Sequence, residues 1–145
     1  MMRAPTAGRL IFGAWMLING ANHFFGFAPE AHGASPLGMQ LMAALNHSGL
    51  MDVAMTMQLV GGALILAGVF VPVALTVLMP ISTCAVYWTV VLEREPIGAA
   101  LALAAFALNG LLMIGWIEYF RGVLQRRALA IGESPPSPLA TAGKP

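Results

Sequence analysis

The stretch MDVAMTMQLVGGALILAGVFVPVALTVLMPISTCAVYWTVVL, residues 51–92, decides the fold of this chain. It runs for about 40 residues with one acidic residue, twice the length that an α-helix needs to cross a bilayer. Pro72 divides the stretch, because proline fits the first turn of a new helix but cannot continue the preceding one. The sequence therefore predicts two membrane spans, 51–70 and 72–92, joined by a tight hairpin at residues 69–73.

Two further apolar segments, residues 10–27 and 97–120, are long enough to span and carry no charge in their central parts. Hydrophobic residues make up 59% of the chain and charged residues 9%, whereas a soluble domain carries about 25% charged residues. We therefore expect an all-α integral membrane four-helix bundle within residues 1–127. Residues 128–145 are rich in Pro, Ser and Ala, which predicts a flexible tail.

The segment 10–27 has an alternative interpretation as a cleaved signal peptide, since Arg3 and Arg9 precede an apolar stretch. No A-x-A cleavage pattern follows, and polar residues interrupt the C-terminal half of the segment. We therefore favour a retained first span.

Lys and Arg residues near the ends of the spans predict the orientation of the chain. Four spans place all but one of the seven Lys and Arg residues on the same side, and Arg94 alone on the other. Both termini are therefore predicted to be cytoplasmic. The residues on the cytoplasmic side are Arg3, Arg9, Arg121, Arg126, Arg127 and Lys144.

The first external loop, residues 28–50, contains a short helical pattern. Leu37, Leu41 and Leu45 recur four residues apart, with Gln40 between them. This spacing predicts a short amphipathic helix at residues 37–46 that lies at the membrane interface.

Polar residues within the predicted spans mark the candidate site, because polar groups in hydrocarbon are costly and usually face the bundle interior. Counting about 1.5 Å of rise per residue, these residues collect in the outer half of the bundle. By depth, the expected partners of His23 are Gln58 and Tyr87. Interhelical hydrogen bonding and ligand binding both remain open as explanations. The candidate ligand-binding residues are Asn19, Asn22, His23, Gln58, Thr83 and Tyr87.

The sequence lacks the residues that several classes of function require. No Lys/Arg run suits nucleic acid, and Cys84 as the single cysteine cannot form an internal disulfide. The histidines and nearby carboxylates have irregular spacing, so no metal site is predicted. No nucleophile elbow or P-loop is present, so we identify no catalytic residue.

The segments GANHFFGFAPE, residues 20–30, and ALNHSGLMDVAMTMQLVGGALILAGVFVPVALTVLMPIS, residues 44–82, resemble the DoxX family of small bacterial membrane proteins. The resemblance implies a four-helix bundle in the bacterial inner membrane, and some relatives are linked to thiosulfate:quinone oxidation or redox-stress complexes. Many relatives carry Glu at the position of Gln58 and a His in the stretch matching Tyr87-Trp88. This chain has neither ionisable group.

Two functions fit these observations. The first is a redox-associated subunit that binds a quinone or another lipophilic molecule, with His23 donating to a quinone oxygen and a partner protein supplying electrons. The second is a non-enzymatic membrane assembly subunit or small carrier, in which the same residues only join helices. It would contact membrane lipid and could form homo-oligomers.

Overall fold

The computed structural model describes residues 6–29 and 35–120, which are helical apart from short connections and contain no β-strand. The predicted all-α class is therefore confirmed for the described part of the chain. The elements are α1 (Thr6–Phe25), α2 (Pro36–Ser48), α3 (Leu50–Ala67), α4 (Val71–Tyr87), a π-helical segment (Trp88–Glu93), α5 (Pro96–Gly115) and α6 (Ile117–Phe120).

Three helices among the described residues are long and apolar enough to cross a membrane, as expected for a membrane protein. They are α3, α4 with its π-helical extension, and α5. The predicted first span, residues 10–27, overlaps α1, which has 20 residues but falls outside this set. The count of four spans, with α1 as the first, and the orientation of the bundle therefore stay predictions.

The turn between α3 and α4 is short and apolar. Gly68 ends α3 in the left-handed region with φ 75°, and its N–H donates to the Ile65 carbonyl at 3.2 Å. The Val69 N–H donates to the Leu64 carbonyl at 3.0 Å, which completes a Schellman motif. Pro72 lies in the first turn of α4. Helical structure is therefore interrupted just before Pro72, where the sequence predicts the hairpin.

Four helices pack side by side in a closed ring. α1 lies along α3, α3 along α4 and α4 along α5, and α5 contacts α1 again. The buried apolar core lies toward the end of the ring that holds the α3–α4 turn. It consists of Phe12, Met16, Ile65, Val71, Ala74, Leu75, Leu78 and Leu112.

Glycines allow α1 and α3 to approach until their backbones touch. A Cβ on Gly62 would lie 2.5 Å from the Leu17 nitrogen and 2.8 Å from the Gly13 oxygen. A Cβ on Gly20 would lie 2.6 Å from the Leu59 nitrogen. Small residues commonly permit such contacts between membrane helices. Any larger residue at Gly20 or Gly62 must push the two helices apart.

The neighbouring Gly61 faces a different helix. A Cβ there would lie 3.0 Å from a methyl carbon of Leu78 on α4. Of these two adjacent glycines on α3, Gly62 contacts α1 and Gly61 contacts α4. Gly61 meets a side chain that can shift, whereas Gly62 meets backbone that cannot.

Helix α2 is longer than the predicted helix at residues 37–46, and its first turn is fixed by a carboxylate. The Ser35 hydroxyl caps the helix by accepting from the Gly38 N–H at 2.9 Å. The Glu93 carboxylate accepts from the Ser35 N–H at 3.0 Å and from the Ser35 hydroxyl at 3.2 Å. A negative charge at a helix N-terminus is favourable, so Glu93 joins α2 to the end of the π-helical segment.

Some predictions concern residues outside the described ranges. They include the flexible tail at 128–145, most of the charges used for orientation, and two residues of the first loop considered for a metal site. The individual residues are Arg3, Glu30, His32, Arg121, Arg126, Arg127 and Lys144.

We expect Gly62→Ala to lower the melting temperature in mild detergent, because its methyl group meets the backbone of α1. Overpacking of this kind costs about 1–3 kcal/mol. Gly110→Ala is the matched control, since no atom lies within 4 Å of a Cβ at that helical position. The control should melt at or above the wild-type temperature, because alanine favours helix over glycine by about 1 kcal/mol. Equal melting of both variants would contradict the backbone contact.

Candidate functional site

The ionisable pair at the site consists of His23 and Asp52. His23 lies in the last turn of α1, and Asp52 lies in the first turn of α3. The His23 Nε2 is 2.8 Å from the Asp52 Oδ1, with side-chain exposures of 13% and 65%. The imidazole N–H donates to the carboxylate, so the pair connects the ends of two helices that already touch.

Helix dipoles favour the same pairing. The C-terminus of α1 carries partial negative charge and favours a basic group, whereas the N-terminus of α3 favours an acidic one. His23 and Asp52 each stand at the helix end that suits them. The pair therefore stabilises the α1–α3 contact independently of any ligand.

The expectation that His23 pairs with Gln58 or Tyr87 is wrong, and the reason lies in which face of α3 meets α1. Because Gly20 contacts Leu59, the last turn of the antiparallel α1 meets the first turn of α3. Asp52 shares a face of α3 with Leu59 and Gly62, which contact α1, whereas Gln58 lies on the face from which Gly61 contacts α4.

Asn22 folds the chain back after α1. Its Oδ1 accepts from the Ala28 N–H at 2.7 Å, and its Nδ2 donates to the Ala28 carbonyl at 3.1 Å. Gly26, with φ 60°, allows the intervening turn and donates its N–H to the Asn22 carbonyl at 2.7 Å. Both ends of the Asn22 amide are therefore used within the loop.

The other candidate residues lie on different surfaces. Asn19, Thr83 and Tyr87 are exposed, and the Thr83 hydroxyl donates to the Met79 carbonyl of its own helix at 2.9 Å. Gln58 is half-buried on α3, and no hydrogen bond joins its amide to another described residue. The structure therefore joins His23 to Asp52 and Asn22 to Ala28, with the remaining candidates spread over α1, α3 and α4.

A second polar group lies in the bundle interior and was not among the predicted site residues. Asn109 is fully buried, and its Nδ2 lies 3.5 Å from the Ser82 Oγ, the limit of a hydrogen bond. The Ser82 hydroxyl donates to the Leu78 carbonyl at 3.0 Å. Within the described chain the Asn109 Oδ1 has no partner. An unpaired amide oxygen in an apolar interior is costly, which marks Asn109 as a position of interest.

Register places Gln58 near this buried group. Gly61 faces Leu78, and one helical turn toward the other end of the bundle brings Gln58 to the level of Ser82. Asn109 could have been singled out from the sequence as the one amide in the last span. Its pairing with Ser82 could not, because that requires the relative rotation of α4 and α5.

The described residues contain no group of three His, Cys, Asp or Glu side chains that could hold a metal ion. His23 and Asp52 form a pair only, and Cys84 is an exposed free cysteine. The polar side chains of this region can donate and accept hydrogen bonds. One such pair is His23 and Asp52, and a second, deeper in the bundle, is Ser82 and Asn109.

No family model, curated protein or solved structure matches the chain. The DoxX-like resemblance therefore remains an expectation drawn from the sequence.

We expect His23→Ala and Asp52→Asn to be energetically coupled, because both remove the same contact between α1 and α3. Interhelical hydrogen bonds of this type contribute about 0.6 kcal/mol on average and up to about 1.7 kcal/mol. Melting of the two single variants and the double variant in detergent measures the coupling, and the double variant should lose little more than either single one. His47→Ala, at the exposed end of α2, is the control. If the double variant lost as much stability as the two single variants together, His23 and Asp52 would act separately.

Proposed function

We propose that this chain is a small multi-pass protein of a bacterial inner membrane, of the DoxX-like type. It crosses the bilayer four times with both termini cytoplasmic, and it works as a non-enzymatic assembly subunit. Its polar residues join helices within one copy and between copies.

The hydrogen bonds of α1 support a structural role for its polar end. His23 is bound to Asp52 and Asn22 to Ala28, so each side chain has a clear function in holding the chain together. A ligand that used the imidazole N–H or the amide would have to displace these contacts.

The observation that carries the proposal is the position of Asn19. Ile11, Ile18 and Phe25 follow one another at seven-residue spacing and form an exposed apolar face of α1, with Asn19 beside Ile18. Asn19 lies six residues before the end of α1, about 9 Å along the helix axis. An amide on the outer surface of a spanning helix lacks water, so a neighbouring helix is its natural hydrogen-bond partner.

The simplest such neighbour is a second copy of the chain. An asparagine amide carries both donors and an acceptor, so two Asn19 side chains can bond to each other across a two-fold axis. The flanking Ile11, Ile18 and Phe25 would then pack against their own counterparts. This arrangement satisfies the exposed amide without any further component.

The oligomeric state in mild detergent, measured by size-exclusion chromatography with light scattering, tests this proposal. We expect wild-type protein to be a dimer and Asn19→Leu to shift toward monomer. Thr83→Val is the matched control, because the exposed Thr83 hydroxyl already donates within its own helix. A monomeric wild type, or an Asn19→Leu variant that remains as dimeric as wild type, would contradict the proposal.

A redox-associated subunit that binds quinone is the second candidate function, and one observation favours it. The Asn109 Oδ1 and the Gln58 amide have no partner among the described residues, and register places both near Ser82. The Gln58 amide N–H could donate to a quinone oxygen, and the Asn109 oxygen could accept from a quinol hydroxyl. Electrons would come from a partner protein. Organic extraction of the purified protein distinguishes this function by the presence of stoichiometric quinone.

A further inference from the structure

Arg9, which has no carboxylate partner among the described residues, lies at the end of the bundle that holds the α3–α4 turn. Arg9 is in the first turns of α1, and its Nη1 lies 2.9 Å from the position of a Cβ on Gly68. This places the guanidinium against the C-terminus of α3, where the helix dipole favours a cation. Arg9 is half-buried, so part of its side chain remains open to the surroundings.

Two nitrogen donors at this end lack an acceptor within the described chain. The Arg9 Nε is buried without a hydrogen-bond partner, and so is the Trp116 Nε1 at the end of α5. Trp116 packs against the core cluster that contains Phe12, one turn from Arg9 on α1. The cation and the indole N–H therefore belong to the same end of the bundle.

Charge at the opposite end is arranged differently. Arg94 stands between Glu93 and Glu95 in the sequence, so its charge is offset by its chain neighbours. Among the described residues no carboxylate forms an ion pair with Arg9. At the end with the α3–α4 turn, Arg9 is thus a cation with which no carboxylate of the described residues pairs.

The surface beside Arg9 is apolar. Val69 is 48% exposed, Phe70 69% and Val73 59%, and the turn from Gly68 to Pro72 carries no polar side chain. Phe70 holds φ 51°, a conformation that glycine adopts with less strain. A large ring is thus exposed at a strained position, next to a cation.

We propose that this end of the bundle binds an anionic phospholipid of the surrounding leaflet. The Arg9 guanidinium takes the headgroup phosphate, since arginine presents paired donors that match phosphate oxygens. Val69, Phe70 and Val73 contact the acyl chains. The proposal rests on the membrane insertion of the proposed function but not on the dimer.

A free phosphate ion would use the same donors, but it would leave the apolar turn uncovered. A phospholipid satisfies the phosphate-binding and the apolar surfaces with one molecule. Anionic lipid is favoured over zwitterionic lipid because the Arg9 charge has no counter-ion in the described chain, and basic groups near a membrane surface attract anionic lipids.

The test is native mass spectrometry of the full-length chain in detergent, with added phosphatidylglycerol, phosphatidylcholine or inorganic phosphate. Wild-type protein should retain phosphatidylglycerol in preference to the other two. Arg9→Gln should bind it at least about tenfold more weakly, the size of one lost charge-assisted contact. Arg94→Gln is the charge-matched control and should bind like wild type.

Two further variants keep the test decisive if Arg9→Gln does not fold. Arg9→Lys keeps the charge and should retain the preference for phosphatidylglycerol with lower affinity. Phe70→Ala, which removes the exposed ring beside Arg9, should also bind more weakly. Equal retention of phosphatidylcholine, equal binding of inorganic phosphate, or unchanged lipid binding in the Arg9 variants would overturn the proposal. Asn19→Leu should keep its lipid, so loss of the dimer and loss of the lipid site are separate outcomes.

Discussion

The contact between the backbones of α1 and α3 determines where the other functional groups lie. At Gly20 and Gly62 there is no space for a Cβ, so the two antiparallel helices meet in one register. In that register His23 reaches Asp52 at one end, and Arg9 reaches Gly68 at the other. The His23–Asp52 hydrogen bond and the arginine over the helix terminus are therefore consequences of the same helix packing. A shift of one residue in this register would rotate the polar groups away from their partners.

The bundle separates its polar and apolar parts along its length. The buried apolar core lies toward the α3–α4 turn, whereas His23, Asp52 and Asn22 lie near the opposite end. Between them the Ser82–Asn109 pair is enclosed by helices, with one amide oxygen unpaired within the described chain. A polar pair of this kind restricts how α4 and α5 rotate against each other, because any other rotation exposes the amide to lipid.

Local features of the fold could be predicted from the sequence. Pro72 marks the break between α3 and α4 because its ring cannot continue a helix, and the leucine spacing after Pro36 indicates α2. Such signals depend on residues close together in the chain. They need no knowledge of neighbouring helices.

The contacts between helices could not be predicted in the same way. Helical periodicity places Asn19, Asn22 and His23 on adjacent parts of α1, but it does not say which helix faces them. Depth alone suggests Gln58 as the partner of His23, whereas the glycine contacts turn the face of α3 that carries Asp52 toward α1. Asp52 stands at the start of the predicted span 51–70, outside the apolar part in which polar partners were expected. The positions of Gly20 and Gly62 were the signal that could have corrected this.

The backbone contact can be observed directly by nuclear Overhauser spectroscopy of the full-length protein in detergent micelles. The account predicts cross-peaks between the Gly20 Hα protons and the Leu59 amide proton, and between the Gly62 Hα protons and the Leu17 amide proton, since a Cβ at either glycine would lie within 2.6 Å of the corresponding nitrogen. Cross-peaks from the Gly61 Hα protons to the Leu78 methyl groups serve as the internal reference for the α3–α4 interface. Absence of both α1–α3 cross-peaks while the reference peaks are present would contradict the account.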